Sequence, residues 1–292
     1  MWDAVVTFVI VLIAFFVSLV TVTALTTNIL FWYEAVNRRC PETQTPEPGI
    51  IVCARMYFRS FFGYCLALCC CPLALLPFAR AKKNSGSSRP PLALVHGIYH
   101  DSSAWIFHKP HLEEAGYTAS ILEYSPFEPL DAVLDQLDQG IRRIENDNPG
   151  RKPVLIGHSM GGLLIRAWLL ESGNQARIAG VITLGTPHGG STLAPFGFGG
   201  LVRNIAPKAE LIVRLKNADQ IRAFPCASLF SSTDEMVLPS ENLLPPDGWR
   251  RRLIHNVNHY GLLLNDAVRR ALLQELQEIE TSRTALETTS PV

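Results

Sequence analysis

A serine flanked by glycines is the first feature of this sequence that suggests chemistry. Ser159 lies in the segment Gly157-His-Ser-Met-Gly-Gly162, after apolar residues and before a stretch with helical spacing. A serine exposed on a sharp turn between a strand and a helix needs small residues two positions before and after it. We therefore predict that Ser159 is a nucleophile, rather than a serine that only fits a turn.

A serine hydroxyl is a weak nucleophile unless a base removes its proton. His188, His255 and His259 follow Ser159 in the sequence. His255 reads as a residue of an apolar strand, whereas His259 lies in a loop between that strand and the closing helix. In open α/β folds, ligand-binding and active sites lie at such loops, beyond the carboxyl ends of the strands. We therefore predict that His259 is the base.

The base needs an acidic side chain that orients the imidazole ring. The candidates are Asp219, Asp234, Glu235 and Asp247. Asp247 lies in a Pro-Pro-Asp-Gly turn, and Asp219 lies in a predicted helix. Asp234 follows a predicted strand at its carboxyl end. We choose Asp234 as the acid, with Glu235 as the nearest alternative.

The negative charge of a tetrahedral intermediate needs two backbone N–H donors. One donor is the residue after the nucleophile, here Met160, and the other lies in the loop after the first strand of the domain. That loop is His96-Gly97-Ile98-Tyr99, and we predict that Ile98 supplies the second N–H. His96 directly follows the strand and is interpreted as part of the loop scaffold. This chemistry requires no cofactor or metal, and we expect neither.

The elements that would position these residues alternate along residues 90–280. Strands that are apolar throughout and alternate with helices predict an α/β fold with a mostly parallel sheet covered on both faces. The insert at residues 193–224 is short and holds one predicted helix, at 209–215, so we expect a minimal cap. The predicted strands are 92–95, 118–124, 153–157, 178–184, 227–231 and 252–255, and the main predicted helices are 130–144, 161–170 and 262–279.

Two uncharged apolar runs precede this domain. Residues 4–33 are longer than the roughly 20 residues that cross a bilayer. A signal peptide would begin with basic residues, and none precedes this run. Residues 60–79 are just long enough to span, although two prolines allow a kink or a re-entrant path. We predict one or two transmembrane helices, a membrane anchor with linker at 1–89, a catalytic domain at 90–280 and a loose tail at 281–292.

Five segments together resemble the α/β-hydrolase superfamily, in its lipase and esterase branch, over residues 90–276. The third of them is similar to a segment of bacterial triacylglycerol lipases and PGAP1-like deacylases. The resemblance implies an α/β-hydrolase fold with Ser159 as nucleophile, Asp234 as acid, His259 as base, and N–H donors at Ile98 and Met160. We interpret His188 as structural. The segments are Leu94-Val-His-Gly-Ile98, Gly157-His-Ser-Met-Gly-Gly162, Thr183-Leu-Gly-Thr-Pro-His-Gly-Gly-Ser191, Ser232-Thr-Asp-Glu-Met-Val237 and Asn258-His-Tyr-Gly261.

The expected reaction is hydrolysis of a carboxylic ester through an acyl-enzyme, with lipid or lipid-like esters as substrates. A membrane acyltransferase would use the same three side chains with an alcohol in place of water. A non-catalytic membrane module is a third alternative, against which the presence of all three side chains argues. The formal net charge of zero gives no reason to expect nucleic acid, so the expected partners are the lipid bilayer and an ester or lipid substrate.

Basic residues beside the apolar runs bear on the orientation in the membrane. Arg38 and Arg39 follow the first run and favour an N-terminus outside. With two spans, the catalytic domain would also lie outside. Arg80, Lys82 and Lys83 oppose this orientation, and a single crossing would reverse it. We expect a multi-pass protein of a bacterial inner membrane, with its catalytic domain on the outer, periplasmic face.

Overall fold

The structure is a computed structural model that describes residues 2–71, 87–171, 173–217 and 224–289, with side chains up to residue 282. Its helices are α1 (Trp2–Asn37), α2 (Ile50–Cys70), α3 (His108–Glu114), α4 (Leu130–Asp147), α5 (Met160–Trp168), α6 (Glu210–Asn217) and α7 (Asp266–Thr289). Its strands are β1 (Leu92–Val95), β2 (Ala119–Leu122), β3 (Val154–His158), β4 (Gly180–Leu184), β5 (Cys226–Ser231) and β6 (Arg250–Ile254).

The six strands form one parallel sheet in the order β2-β1-β3-β4-β5-β6. Alternate residues of β1 enter two separate cores: Ala93 and Val95 pack with α4 and α5, while Leu92 and Leu94 pack with α3 and α7. Helices therefore cover both faces, as predicted from the apolar strands. Because all strands run in one direction, their carboxyl ends lie along one edge. Each of the six predicted strands overlaps an observed strand.

The predicted second apolar helix, at 60–79, was placed too late in the sequence. Helix α2 begins at Ile50 and includes Arg55 and Arg59, whose charges interrupted the uncharged run used for the prediction. The end of the predicted helix, from residue 72, lies outside the described residues. Helix α1 is also longer than the predicted 4–33. Helix α7 continues to Thr289, through most of the predicted tail, because neither glycine nor proline interrupts residues 266–289.

Helices α1 and α2 are both long and apolar enough to cross a membrane. They pack against each other and against the domain that contains the sheet. Residues 2–15 of α1 are exposed throughout, whereas Val20, Ala24 and Phe31 are buried. The second half of α1 thus lies against protein, while its first half presents apolar side chains outward. The number of membrane crossings and their direction stay predictions.

The insert at residues 193–224 is small, as expected for a minimal cap. It contains short 3₁₀ helices at Ala194–Phe196 and Leu201–Ile205, followed by α6, and residues 218–223 lie outside the description. The hydroxyl of Tyr99 makes hydrogen bonds with both the N–H and the carbonyl oxygen of Phe198. These bonds hold the cap against the loop that follows β1.

Candidate active site

Ser159 occupies the sharp turn between β3 and α5. Its backbone lies in a region of positive φ (φ 52°, ψ −120°) that residues with a side chain rarely adopt. A Cβ at Gly157 would lie 2.5 Å from the backbone N of Gly162, and one at Gly161 would clash with the carbonyl oxygen of Val95. The turn therefore requires both glycines for steric reasons, as the spacing predicts. The structure thus has the strand, strained serine and helix of a nucleophile elbow.

The predicted base and acid form a buried pair. His259 Nδ1 lies 2.8 Å from Asp234 Oδ2, and both side chains are almost fully buried. The other carboxylate oxygen, Oδ1, accepts hydrogen bonds from the backbone N–H groups of Met236 (3.0 Å) and Val237 (3.2 Å). These bonds fix the carboxylate plane. Asp234 can therefore hold the ring of His259 in one orientation and tautomer.

Two hydroxyl groups tie the loop of the acid to the loop of the base. Ser231 and Thr233, which flank the end of β5, both donate hydrogen bonds to the carbonyl oxygen of Val257. Val257 lies two residues before His259. The separation between Asp234 and His259 is thus set by these backbone contacts as well as by the direct bond.

Ser159 and His259 line the same cavity, which has a volume of about 420 Å³. Its other walls are mostly apolar and come from the cap, from the loop after β1 and from α1. The contribution of α1 includes Thr23 and Thr27. Asp234 lies behind His259 and does not line the cavity. The three predicted side chains are therefore brought together, and the predicted nucleophile and base face the same cavity.

The two predicted N–H donors lie on either side of Ser159. Met160 is the first residue of α5, a position whose N–H has no acceptor within its own helix. Ile98 lines the cavity beside Ser159. A Cβ on the preceding Gly97 would come 3.1 Å from Cβ of Ser159, so the loop after β1 lies directly against the serine. The two residues predicted to supply N–H donors are therefore both close to Ser159.

Opposing effects act on the pKa of His259. Burial lowers the pKa, but the charge of Asp234, its hydrogen bond and the nearby carboxyl of Glu235 together outweigh burial. The resulting pKa is higher than that of an ordinary histidine. A base with a raised pKa holds the proton taken from the serine more strongly.

Glu235, the nearest alternative acid, faces the backbone of His259 and not its ring. Glu235 Oε2 accepts a hydrogen bond from the N–H of His259 (3.2 Å), and Oε1 accepts one from the hydroxyl of Tyr64 in α2 (2.8 Å). The side chain is fully buried, and burial with the charge of Asp234 raises its pKa. The Tyr64 hydroxyl also lies 3.1 Å from Thr27 Oγ1 of α1. Glu235 therefore links both N-terminal helices to the loop of His259.

Two further histidines, His100 and His158, line the cavity, and the sequence analysis did not identify them as site residues. Burial lowers the pKa of His100 to about 3 and that of His158 well below its usual value, so both rings are neutral at neutral pH. The ring of His158 lies 4.8 Å from that of His259, between centroids. The only sequence signal was proximity to Ser159 and to the loop of Ile98. These neutral rings add bulk, without charge, to the cavity wall.

The remaining candidate histidines have structural surroundings. His188 is buried, with Nδ1 3.1 Å from Arg166 Nη1 and Nε2 3.2 Å from the hydroxyl of Thr183, which agrees with a structural role. His96 stacks on Tyr124, and its Nδ1 bonds to the carbonyl oxygen of Gly97, as suits a scaffold of the loop.

The rejected alternatives for the base and the acid show no link to the cavity. His255 is exposed beyond β6, and Asp247 is an exposed residue paired with Arg251. Asp219 lies outside the described residues. Within the described ranges, no group of three or more His, Cys, Asp or Glu residues has the arrangement of a metal site.

Comparisons with known proteins agree on one family. The sequence profile of the alpha/beta hydrolase family matches residues 92–284, which leaves α1 and α2 outside the match. A triacylglycerol lipase of Burkholderia plantarii is 31% identical over 133 residues, which are 42% of this chain and 37% of that lipase. A GPI inositol-deacylase of Candida albicans is 36% identical over 69 residues, 23% of this chain and 18% of that protein. The chain thus matches less than half the length of either relative.

Solved structures show the same fold. The mature lipase BlEst2 of Bacillus licheniformis superposes with a TM-score of 0.59 at 20% identity, covering 68% of this chain and 96% of that one. Lipase B of Aspergillus fumigatus gives a TM-score of 0.54 at 16% identity, covering 65% of this chain and 54% of that one. The predicted α/β-hydrolase fold is confirmed.

Proposed function

We propose that this chain, which belongs to the alpha/beta hydrolase family and is of its lipase and esterase type, hydrolyses carboxylic esters with Ser159 as nucleophile. The observation that carries the proposal is the buried His259–Asp234 pair, because its histidine lines the same cavity as the strained serine. A purely structural role for His259 would not explain why it lines the same cavity as a serine held in a strained backbone conformation.

The proposed reaction has two halves. Ser159 Oγ attacks the ester carbonyl carbon while His259 takes the hydroxyl proton, and the N–H groups of Ile98 and Met160 bind the oxyanion. The intermediate collapses with cleavage of the bond to the alcohol oxygen, which leaves with the proton from His259. Water then attacks the acyl carbon while His259 takes its proton. The bond from that carbon to Ser159 Oγ breaks, Oγ recovers the proton from His259, and the carboxylic acid leaves. Asp234 stabilises the imidazolium in both halves.

The apolar lining of the cavity supports lipid or lipid-like esters as substrates. Most of its walls are aliphatic or aromatic, and one of them belongs to α1, whose residues 4–15 are all exposed and, apart from Thr7, all apolar. Exposed apolar surface of this extent is typical of membrane contact. Residues 1–89 would then both anchor the enzyme in the bilayer and complete the site formed by residues 90–280. A bacterial inner membrane and an outer-facing catalytic domain remain part of this proposal.

The test uses the full chain in detergent or in lipid nanodiscs. A fluorophosphonate probe should label the wild type at Ser159, with the mass increase on the peptide that contains residue 159, and p-nitrophenyl esters should be hydrolysed. Ser159→Ala should lose both signals, whereas Ser282→Ala, which changes a serine of α7 that does not line the cavity, should keep both. A folded wild type that reacts with neither probe nor ester would overturn the proposal. Transfer of the acyl group to an added alcohol in preference to water would identify an acyltransferase.

A further inference from the structure

A second cavity, of about 220 Å³, lies between the two N-terminal helices. Leu19 and Val20 of α1 form one wall, and Ala67 and Leu68 of α2 form another. None of the residues that line it, all of which belong to the described part of the chain, is an aspartate, glutamate, lysine or arginine. Seven of its eleven lining residues precede residue 92 and so lie outside the part of the chain that matches the alpha/beta hydrolase family.

The second cavity adjoins the cavity of Ser159. Five residues line both spaces, and they come from α1, the loop after β1, the loop of the acid and the residue after His259. The groove between the helices therefore borders the site of the predicted chemistry, and no charged side chain lies in the wall that the two cavities share. The shared residues are Thr23, Tyr99, His100, Met236 and Tyr260.

The second cavity also reaches the exposed apolar surface of α1 and α2. Leu19 and Leu68 line the second cavity and are also half exposed, at 52% and 44%. Leu19 continues the outward-facing surface of residues 2–15. At roughly 1.5 Å per residue, residues 2–19 extend about 26 Å, close to the roughly 30 Å of a bilayer's hydrocarbon core. A bilayer around this half of α1 would reach the mouth of the second cavity.

The polar groups in the walls suit an uncharged ligand. The ring of His100 is neutral, because burial lowers its pKa to about 3, and it stacks on Tyr260 at a centroid distance of 4.9 Å. The hydroxyl of Tyr64 is already engaged with Glu235. With no charged side chain present, a phosphate or sugar headgroup would lose its water without compensation. A hydrocarbon chain makes no hydrogen bonds to water, so its transfer into the cavity carries no such cost.

We propose that the cavity between α1 and α2 binds an acyl chain of a membrane lipid, which enters sideways from the bilayer and leads its ester carbonyl to Ser159. The proposal rests on the proposed ester hydrolysis. It makes the N-terminal helices part of the substrate site, and it assigns long-chain lipid esters as the substrate class.

A photoreactive probe tests the path directly. A fluorophosphonate with a sixteen-carbon chain and a terminal diazirine is reacted with the full chain in phosphatidylcholine nanodiscs and then irradiated. Cross-links are expected in peptides of α1 around Leu19–Thr23 or of α2 around Tyr64–Cys71. Cross-links confined to the cap, at residues 193–205, would overturn the proposal. Absence of labelling at Ser159 would instead contradict the proposed hydrolysis.

A substitution that fills the second cavity gives an independent test. Ala67→Trp should lower kcat/KM for p-nitrophenyl palmitate by about tenfold or more, while hydrolysis of p-nitrophenyl butyrate stays within about twofold of wild type. Leu25→Trp is the matched control, since Leu25 is exposed on α1 and lines neither cavity. Equal effects of Ala67→Trp on both esters, or no effect on palmitate, would contradict the proposal. Retained butyrate hydrolysis shows that the variant is folded.

Discussion

The hydroxyl of Tyr64 in α2 donates a hydrogen bond to the buried carboxyl of Glu235 over 2.8 Å, although 171 positions separate the two residues. The same carboxyl accepts the backbone N–H of His259. A helix outside the family match thus contacts the group that supports the predicted base. Hydrogen bonds to charged groups in protein interiors are worth about 1.5–3 kcal/mol, so this contact is a substantial link between the anchor and the site.

We expect Tyr64→Phe to weaken that link. The substitution removes the hydroxyl and leaves Oε1 of Glu235 without its tyrosine donor, which should lower the free energy of unfolding by about 1–3 kcal/mol. Thermal unfolding in detergent measures the change, and ester hydrolysis should fall with it. Tyr33→Phe is the control, because Tyr33 is exposed on α1. Unchanged stability of Tyr64→Phe would mean that the helix and the histidine loop are not coupled through this bond.

Substitution of the two neighbouring acids should separate their roles. Asp234→Asn removes the charge that orients the His259 ring and should lower kcat by about 10³–10⁴-fold, as in other serine triads. Glu235→Gln changes a group that bonds to His259 only through its backbone N–H and not through its ring, so the loss of kcat should be at most about tenfold. Steady-state kinetics on a short soluble ester distinguishes the two. A larger loss for Glu235→Gln would make Glu235 the acid.

The pH dependence of hydrolysis should reflect the raised pKa of His259. The base must be neutral to accept the serine proton, so kcat/KM should increase with pH through a pKa above the ordinary value of 6.5. The carboxyl of Glu235 contributes to that raised pKa. Glu235→Gln should therefore shift the acid limb to lower pH, which a kcat/KM profile of both proteins would detect. A shift in the opposite direction would be incompatible with this electrostatic picture.

The turn at Ser159 should not tolerate a methyl group at its glycines. In Gly157→Ala the added Cβ would lie 2.5 Å from the backbone N of Gly162, and neither backbone can move without breaking the elbow. We expect a loss of about 2 kcal/mol or more in stability, together with loss of probe labelling at Ser159. Gly49→Ala is the control, since its Cβ would meet nothing within 4 Å. A stable, reactive Gly157→Ala would refute the steric account of the motif.

Membrane attachment should depend on the exposed first half of α1. Phe8 and Leu12 are exposed there, at 63% and 49%. A lysine at the centre of a membrane helix costs about 2.5–3.5 kcal/mol, so Phe8→Lys with Leu12→Lys should move protein from the membrane pellet to the supernatant after carbonate extraction. Val213→Lys, on the exposed face of α6, should stay in the pellet with the wild type. Retention of the double variant would show that this segment is not the anchor.

Local patterns in the sequence were sufficient for the sheet and the serine turn. Strands β1, β3 and β4 are covered on both faces of the sheet and are buried at every residue. Such strands are apolar throughout, so their composition was enough to predict them. The elbow is local at Gly157, where a Cβ would meet only Gly161 and Gly162, whereas the clash at Gly161 comes from Val95 and His96 of another strand and its loop. The contact between Asp234 and His259 was also predicted, since the carboxyl ends of parallel strands meet at one edge.

Only the tertiary structure decided which parts of the domain the N-terminal helices contact. Composition marks α1 and α2 as apolar, but an apolar run has the same sequence signal whether it faces lipid, a cap or a substrate cavity. Tyr64 contacts Glu235, and Thr23 lines the same cavity as Tyr260, only because the fold brings distant parts of the chain together. Such contacts leave no periodicity in the sequence, which is why the second cavity and the support of His259 emerged from the structure alone.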